Sequence, residues 1–388
     1  MSISDLYNED FCETGFFDVI ESLLDYRGKT PLKLGMSWSD VETPYLALSA
    51  LNVKDNGIDT TKEAHYGTAD LYKKWMKDKP LREQQILMTT EAPAGVVMQI
   101  PDKRPYILSQ RVIALNVDPT KVDECFFAYL LRSHYVQNQI ERLCSGGTAK
   151  GISQKHLKEI KVRYPKSIKT QQKIAEFFTA LDEKIRCLDD LAKGFSQSMQ
   201  GVLNKVFTQQ ISFKDENGNN YSEWTIKKIK DVAPLQRGFD LPTSQLQDGE
   251  CTVIYSNGQT AKHSAFKCDG CAVVTGRSGT IGKVFYLDNC KYWPHNTTLW
   301  VTDFCGNNPK FIYYLFKFVG LERFSTGTGV PTLNRNDVHD YVVKIPSIDE
   351  QTKIVEFLDC YNKKLNLLIS KKHAFHELKK AFMQRMFV

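Results

Sequence analysis

The stretch 276–284, GRSGTIGKV, has the outline of a phosphate-binding loop. A Walker loop needs Gly at 277 and Ser or Thr at 284, and this chain has Arg277 and Val284. An adenine methyltransferase would carry an Asp/Asn-Pro-Pro-aromatic element to grip a flipped base. The nearest match, Asn308-Pro309-Lys310-Phe311, lacks the second proline, and Phe304-Cys305-Gly306-Asn307-Asn308 fails as a Phe-x-Gly-x-Gly cofactor loop. Pro101-Asp102-Lys103 could open a nuclease centre, but no acid-x-Lys partner follows at a convincing distance. Cys268 and Cys271 form one CxxC, with Cys251, His263 and Cys290 nearby in sequence. Zinc is one reading of that group, and a β-turn with incidental thiols is the other. None of the eight histidines has HExxH or another metal-ligand spacing. The residues therefore assemble no self-sufficient catalytic centre.

What the sequence does contain is a repeat. Residues 167–178 read SIKTQQKIAEFF and residues 347–358 read SIDEQTKIVEFL. At an offset of 180, seven of the twelve positions are identical, among them Gln171/Gln351, Ile174/Ile354 and Phe177/Phe357. Upstream, Pro165 matches Pro346, and SGGTAKGIS (145–153) resembles STGTGVPTL (325–333). At an offset near 210, Arg27-Gly28 faces Arg237-Gly238 and Pro31 lies opposite Pro242. Matches in one order along the chain indicate a tandem duplication with diverged fronts and better preserved tails.

The tails have helical spacing. Ile174, Leu181, Leu188, Phe195 and Val202 recur every seven residues, and Ile354, Tyr361, Leu368, Phe375 and Phe382 occupy the matching places. No proline interrupts either run, which predicts two long helices with one apolar stripe each. A long helix with one apolar face needs a partner, and the other copy is the obvious one. The fronts consist of short β-rich runs broken by Gly and Pro, such as 86–115 and 268–287. Each then ends in an aromatic amphipathic segment, 126–140 and 311–324. The expected fold class is α+β: two mixed β/α globules joined by two long antiparallel coiled-coil helices, with pseudo-twofold repeat symmetry. The expected boundaries are a first globule at 1–165, a first helix at 166–207, a polar linker at 208–221, a second globule at 222–346 and a second helix at 347–388. Trp75, Trp224, Trp293 and Trp300 are read as core or hinge packing.

The chain has 388 residues, 42% hydrophobic and 25% charged, which excludes global disorder. No apolar run approaches the ~20 residues of a membrane span. The acidic N-terminus does not resemble a secretory signal, and the ten cysteines are scattered. These features suggest reduced thiols in the cytoplasm. The net charge of +6 permits a polyanionic partner without requiring one.

The two globule-to-helix junctions, GGTAKGISQKHLKEIKVRYPKSIKTQQKIAEFF (146–178) and GTGVPTLNRNDVHDYVVKIPSIDEQTKIVEFL (327–358), resemble those of the DNA-specificity subunit of type I restriction–modification enzymes. Each has a Gly-rich turn, a short helix, a strand, Pro, and the start of the long helix. RSGTIGKV (277–284) and RGFDLP (237–242) also resemble that family's second target-recognition domain. The first globule departs from it: TTEAPAGVV (89–97) replaces the RSGTIGKV pattern, and Glu91 falls where the second has Arg277. The likeness covers nearly the whole chain.

The resemblance implies a non-catalytic subunit with no cofactor of its own and no membrane partner. It would read split double-stranded DNA and direct methyltransferase subunits, two of them, to methylate adenine. A restriction–translocase subunit would cut unmodified DNA. Each globule would read one half of the target, and the helices would set the gap. Side-chain chemistry then nominates the DNA contacts, since Arg suits guanine, Asn and Gln suit adenine, and Lys suits phosphate. In the first globule these are Arg27, Lys29, Asn52, Arg104, Gln110, Arg111, Lys150 and Gln154. In the second they are Arg237, Arg277, Lys283, Asn296, Thr297, Asn334 and Arg335. A fused single-chain restriction–modification enzyme and a coiled-coil scaffold without DNA affinity are the competing readings.

Overall fold

The computed structural model describes residues 10–55, 57–144, 151–326 and 331–387. It forms two compact units, Met1–Cys187 with Lys371–Val388, and Leu188–Ser370. Each unit holds one globule together with a portion of both long helices.

In the first unit, strand β1 (Phe11–Gly15) is followed by β2 (Ile20–Asp25), β3 (Tyr45–Leu48), β4 (His65–Gly67), β5 (Ile86–Thr89), β6 (Val97–Gln99), β7 (Ile107–Leu108), β8 (Val112–Val117) and β9 (Lys161–Pro165). The main sheet is antiparallel in the order β2-β8-β5-β6. Its inner strands β8 and β5 are the most continuously apolar and almost wholly buried, as expected of strands covered on both faces. A smaller sheet has the order β4-β3-β7, and β1 pairs with β9. Helix α1 (Ala69–Met76) buries Trp75, whose indole N–H donates to the Leu108 carbonyl at 2.9 Å. Helices α2 (Glu124–Arg132) and α3 (His134–Leu143) follow; Phe126–Leu131 of α2 are all buried. A short helix, α4 (Gln154–Leu157), leads into β9. Polar caps start these helices: Thr68, Asp123, Ser133 and Ser153 each accept an otherwise orphaned main-chain N–H.

Helix α5 (Ile168–Phe207) is continuous over 40 residues. The second unit contains β10 (Thr225–Lys228), β11 (Leu235–Arg237), β12 (Cys251–Tyr255), β13 (Gly258–His263), β14 (Cys268–Gly276), β15 (Val284–Pro294), β16 (Thr298–Val301), α6 (Pro309–Val319), α7 (Arg335–His339), β17 (Val342–Ile345) and the 39-residue α8 (Ile348–Met386). Its sheet has the order β11-β16-β14-β15-β12-β13, parallel only between β12 and β15. β10 pairs with β17.

The helices run antiparallel within each unit. In the first, Phe178 stacks on Phe387 at 5.6 Å and Asp182 accepts from Lys379 at 2.6 Å. In the second, Phe195 lies 6.5 Å from Tyr361, and the Lys364 ammonium sits 4.9 Å from the Phe195 ring. The expected stripe is buried at Ile174, Leu181, Leu188 and Ile354. It is half-buried at Phe195, Tyr361, Leu368 and Phe375. Among the described residues, no helix is long and apolar enough to cross a membrane.

Tryptophan packs as expected. Trp75 and Trp293 are buried, and Trp224 donates to the Glu350 carboxylate at 3.0 Å. Trp300 is half-buried among Phe239 and Tyr292.

Candidate nucleic-acid interface

Strand register brings separated polar residues to one end of each main sheet. In the first unit, β8 lies between β2 and β5, with Ile113 opposite Asp25 and Val112 opposite Thr89. The segments leaving β2 and β5, and the segment entering β8, therefore emerge together. They carry Arg27, Glu91, Gln110 and Arg111. A bridge between Glu91 and Gly151, with the Ile152 N–H donating to the Thr90 carbonyl at 2.8 Å, adds Gln154.

The second unit repeats this scaffold. β16 lies between β11 and β14, with Leu299 opposite Arg237 and Thr298 opposite Gly276. The Leu333 N–H donates to the Arg277 carbonyl at 2.7 Å and delivers Asn334 and Arg335 to the same end. Two glycines permit the close chain approach: a side chain at Gly238 would meet the His295 carbonyl, and one at Gly276 the Thr280 carbonyl.

Matching hydrogen bonds fix which positions correspond. The Thr90 N–H donates to the Arg111 carbonyl, and the Arg277 N–H to the Thr297 carbonyl, both at 2.8 Å. Thr90 thus corresponds to Arg277, Gln110 to Asn296, Arg111 to Thr297 and, through the strand pairings, Asp25 to Arg237. Gln154 corresponds to Arg335, each following the cap of a short helix. Two sequence correspondences are corrected. Arg277 stands opposite Thr90 rather than Glu91, and Arg237 opposite Asp25 rather than Arg27. Short polar words can be matched in more than one register; ladder pairing allows one.

The nominated side chains have different surroundings. Arg27 grips Asp25 from Nε at 2.8 Å and Nη2 at 2.6 Å, and Gln154 donates to the same carboxylate at 2.9 Å. Burial alone would raise the Asp25 pKa, but hydrogen bonds from the Arg27 side chain and main chain and from Gln154, with the Arg27 charge, hold it below the ordinary value. Arg111, in the left-handed region at φ 63°, pairs with Glu91 at 3.3 Å. Gln110 is exposed and donates to the Lys29 carbonyl at 3.4 Å.

Three nominations in this unit sit differently. Lys29 turns inward, its ammonium donating to the Trp75 carbonyl at 2.5 Å, and burial with the nearby Lys77 charge lowers its pKa. Asn52 is 1% exposed; its amide accepts from the Ser49 hydroxyl and donates to the Asp59 and Glu63 carbonyls. No face of that amide is left for a base, so Asn52 shapes its loop. Arg104 pairs with Asp102 at 2.9 Å in a segment before β7, outside the group at the sheet end. Lys150 lies outside the described residues.

In the second unit, Asp240 accepts from Arg237 Nη2 at 3.1 Å and also from the Asn296 amide. Arg277 is half-buried, with Nη1 3.5 Å from the Asn296 carbonyl. The Thr297 hydroxyl lies 3.0 Å from His295 Nδ1. Asn334 caps α7 by accepting the Asn336 N–H at 3.1 Å. Lys283 and Arg335 are exposed. Sequence reasoning missed the acids Asp25 and Asp240. The signal available was their spacing of two or three residues from a basic residue in DYR and RGFD.

The group can donate and accept hydrogen bonds and carries charge of both signs, which suits the reading of base edges. The thiols earlier on β14 do not form a metal cage. Cys268 is buried with its pKa pushed up to about 11 by burial, partly offset by a bond to Tyr292, and Cys271 points to Asp288 at 3.7 Å. Among the described residues, no group of three His, Cys, Asp or Glu could hold a metal ion.

Comparison with known proteins agrees with this architecture. The family model for the type I restriction modification DNA specificity domain matches twice, at residues 11–191 and 221–374. A Mycoplasma pneumoniae protein named as a type I specificity subunit is 24% identical over 292 residues, 71% of this chain and 74% of that protein. A Methanocaldococcus jannaschii protein named as a type I restriction enzyme specificity subunit is 28% identical over 140 residues. That match covers 35% of this chain and 32% of the relative. The crystal structure of a type I system S subunit from M. genitalium superposes with a TM-score of 0.63 at 16% identity, covering 98% of this chain and 97% of that one. A chain from a study of complex assembly in a type I system superposes at 0.60 and 14%, covering 97% of each. The two structures share the fold. With its two matched domains, the chain belongs to the type I restriction–modification DNA specificity family, as a DNA-reading subunit rather than an enzyme of that system.

Proposed function

We propose that the polar sheet end of each unit is the surface that meets DNA, each reading one half of a split target. The supporting observation is the repeated scaffold. Asp25/Arg237, Thr90/Arg277, Gln110/Asn296, Arg111/Thr297 and Gln154/Arg335 occupy the same places with different side chains. A constant backbone with exchanged donors and acceptors is what two readers of different base sequences require. In this reading, Arg27, Gln110, Arg111, Gln154, Arg237, Arg277, Asn296 and Thr297 face bases. Lys283 and Arg335, together with Arg104 and Lys150, serve phosphates.

DNA and methyltransferase subunits are the partners that go with the family. The finer assignment is that two methyltransferases dock on the outer faces of α5 and α8, and that a restriction–translocase subunit joins them. The recognition domains are residues 1–165 and 222–346, the helices 166–207 and 347–388 set the gap between half-sites, and 208–221 links them. The complex works in the cytoplasm. Binding of the subunit with its methyltransferases to genomic DNA fragments, at several salt concentrations, tests the reading. It requires a fragment set bound at least ~1,000-fold more tightly than random DNA. No binding would leave the scaffold reading, uniform binding to all sequences would refute the reading of a specific target, and methyl transfer by the pure chain alone would make it an enzyme.

A further inference from the structure

Arg27 already has one edge of its guanidinium committed. Its main-chain N–H donates to Asp25 Oδ1 at 3.0 Å. Its Nε donates to both carboxylate oxygens, at 3.0 and 2.8 Å, and Nη2 donates to Oδ2 at 2.6 Å. The Arg27 side chain remains 29% exposed, while that of Asp25 is 11% exposed. The carboxylate therefore covers the Nε/Nη2 edge of the guanidinium. The Nη1/Nη2 edge keeps two parallel N–H groups unspent, one from each nitrogen. Two parallel donors on a planar group match the O6 and N7 acceptors of guanine.

The second unit places the same chemistry differently. Arg237 gives Asp240 a single contact at 3.1 Å and its side chain is 51% exposed. Asp240 there is 70% exposed, so neither partner is locked. At the strand position that holds Arg237, the first unit has the acid itself, and the arginine follows two residues later.

We infer that Asp25 is a positioning residue that aims Arg27 at one guanine in the half-site read by the first unit. Gln154 donates to Oδ2, the same carboxylate oxygen that Arg27 Nη2 grips, and so holds the acid at its contact with the arginine. This inference rests on the interface proposed above. An acid at a DNA surface is otherwise a liability, since it repels phosphate. The two effects separate experimentally. Losing Asp25 should cost discrimination at one base while leaving binding to random DNA unchanged or tighter.

The test uses the subunit assembled with its methyltransferases and a library of targets varied at each position. Asp25→Asn, Arg27→Ala, Gln154→Ala and the double variant Asp25→Asn/Arg27→Ala are compared. Arg27→Ala should lose about tenfold or more of its preference for guanine at one position of one half-site. Asp25→Asn should lose a similar factor at that same position, with affinity for random DNA no weaker. The double variant should lose no more than Arg27→Ala, because the acid acts through the arginine. Replacing that guanine by 7-deazaguanine should weaken the wild type and leave Arg27→Ala unaffected. Gln154→Ala should give a smaller loss at that guanine, separate from any loss at a base that Gln154 itself meets. If Arg27→Ala and 7-deazaguanine show the guanine contact but neither Asp25→Asn nor Gln154→Ala changes the preference, the positioning role is refuted and the interface stands. If Arg27→Ala alters no base preference, the interface reading fails at this point and the positioning role falls with it.

Discussion

Gln171 and Gln351 hold the same junction in the two units. Gln171 accepts the Asp123 N–H at 2.7 Å and donates to the Lys121 carbonyl at 3.0 Å and the Pro165 carbonyl at 2.8 Å. Gln351 accepts the Asn308 N–H at 2.9 Å and donates to the Asn307 side-chain oxygen at 2.8 Å and the Pro346 carbonyl at 3.1 Å. Each amide ties the first turn of a long helix to the strand before it and to the start of the aromatic helix. Both side chains are buried. This explains why the repeat is best preserved here: one side chain satisfies three separate polar groups.

Replacing either glutamine by leucine keeps the volume and leaves those groups unpaired. Each buried unpaired group costs about 1–3 kcal/mol, so Gln351→Leu should destabilise its unit by about 2–4 kcal/mol in denaturant melts. Gln171→Leu should do the same in the other unit. A loss under ~0.5 kcal/mol would mean that the bonds are incidental.

The helix stripe makes a graded prediction. Leu188 is 5% exposed, whereas Leu368 is half-buried. An aspartate at Leu188 buries an unpaired carboxylate and should cost about 3 kcal/mol, against about 1 kcal/mol for Leu368→Asp, where water reaches the new charge. Thermal melts of the two variants check the order, and equal losses would contradict it.

His339 gives a pH signature. Its Nε2 accepts the Leu235 N–H at 2.8 Å, which requires the neutral ring. Burial lowers its pKa most, and the Arg335 and Lys230 charges lower it further; the Asp340 charge opposes them. Because the folded value is depressed, the unfolded chain takes up the proton first as pH falls. The stabilisation is complete above the unfolded value near ~6.5 and fades below it. The stability advantage of wild type over His339→Gln, measured by denaturant melts, should therefore shrink between about pH 7.5 and 5.5. A constant difference would rule this out.

The two helices were legible in the sequence because their seven-residue spacing repeats five times without a proline. The junctions were legible because Gln171 and Gln351 stand at the same offset as the apolar residues around them. The proposed recognition surface was less so. Its chemistry depends on which residues of three separate strands emerge side by side, and Asp25 and Arg237 lie in segments whose loops differ in length. Arg111 and Arg277 could be nominated by type. The inward turn of Lys29 onto the Trp75 carbonyl and the enclosure of Asn52 depend on contacts from distant segments.

The central claim is that each unit reads its own half of the target. Arg277 and Arg111 lie at the proposed recognition ends of different units, so they test it directly. The subunit carrying Arg277→Ala, or Arg111→Ala, is assembled with its methyltransferases, and the methylated adenines are mapped across a genome. The account predicts that Arg277→Ala relaxes base preference in one half of the target only, by about 1–3 kcal/mol for a bidentate contact. Arg111→Ala should relax the other half only. Loss of preference in the same half for both variants, or a uniform loss at every position, would contradict it.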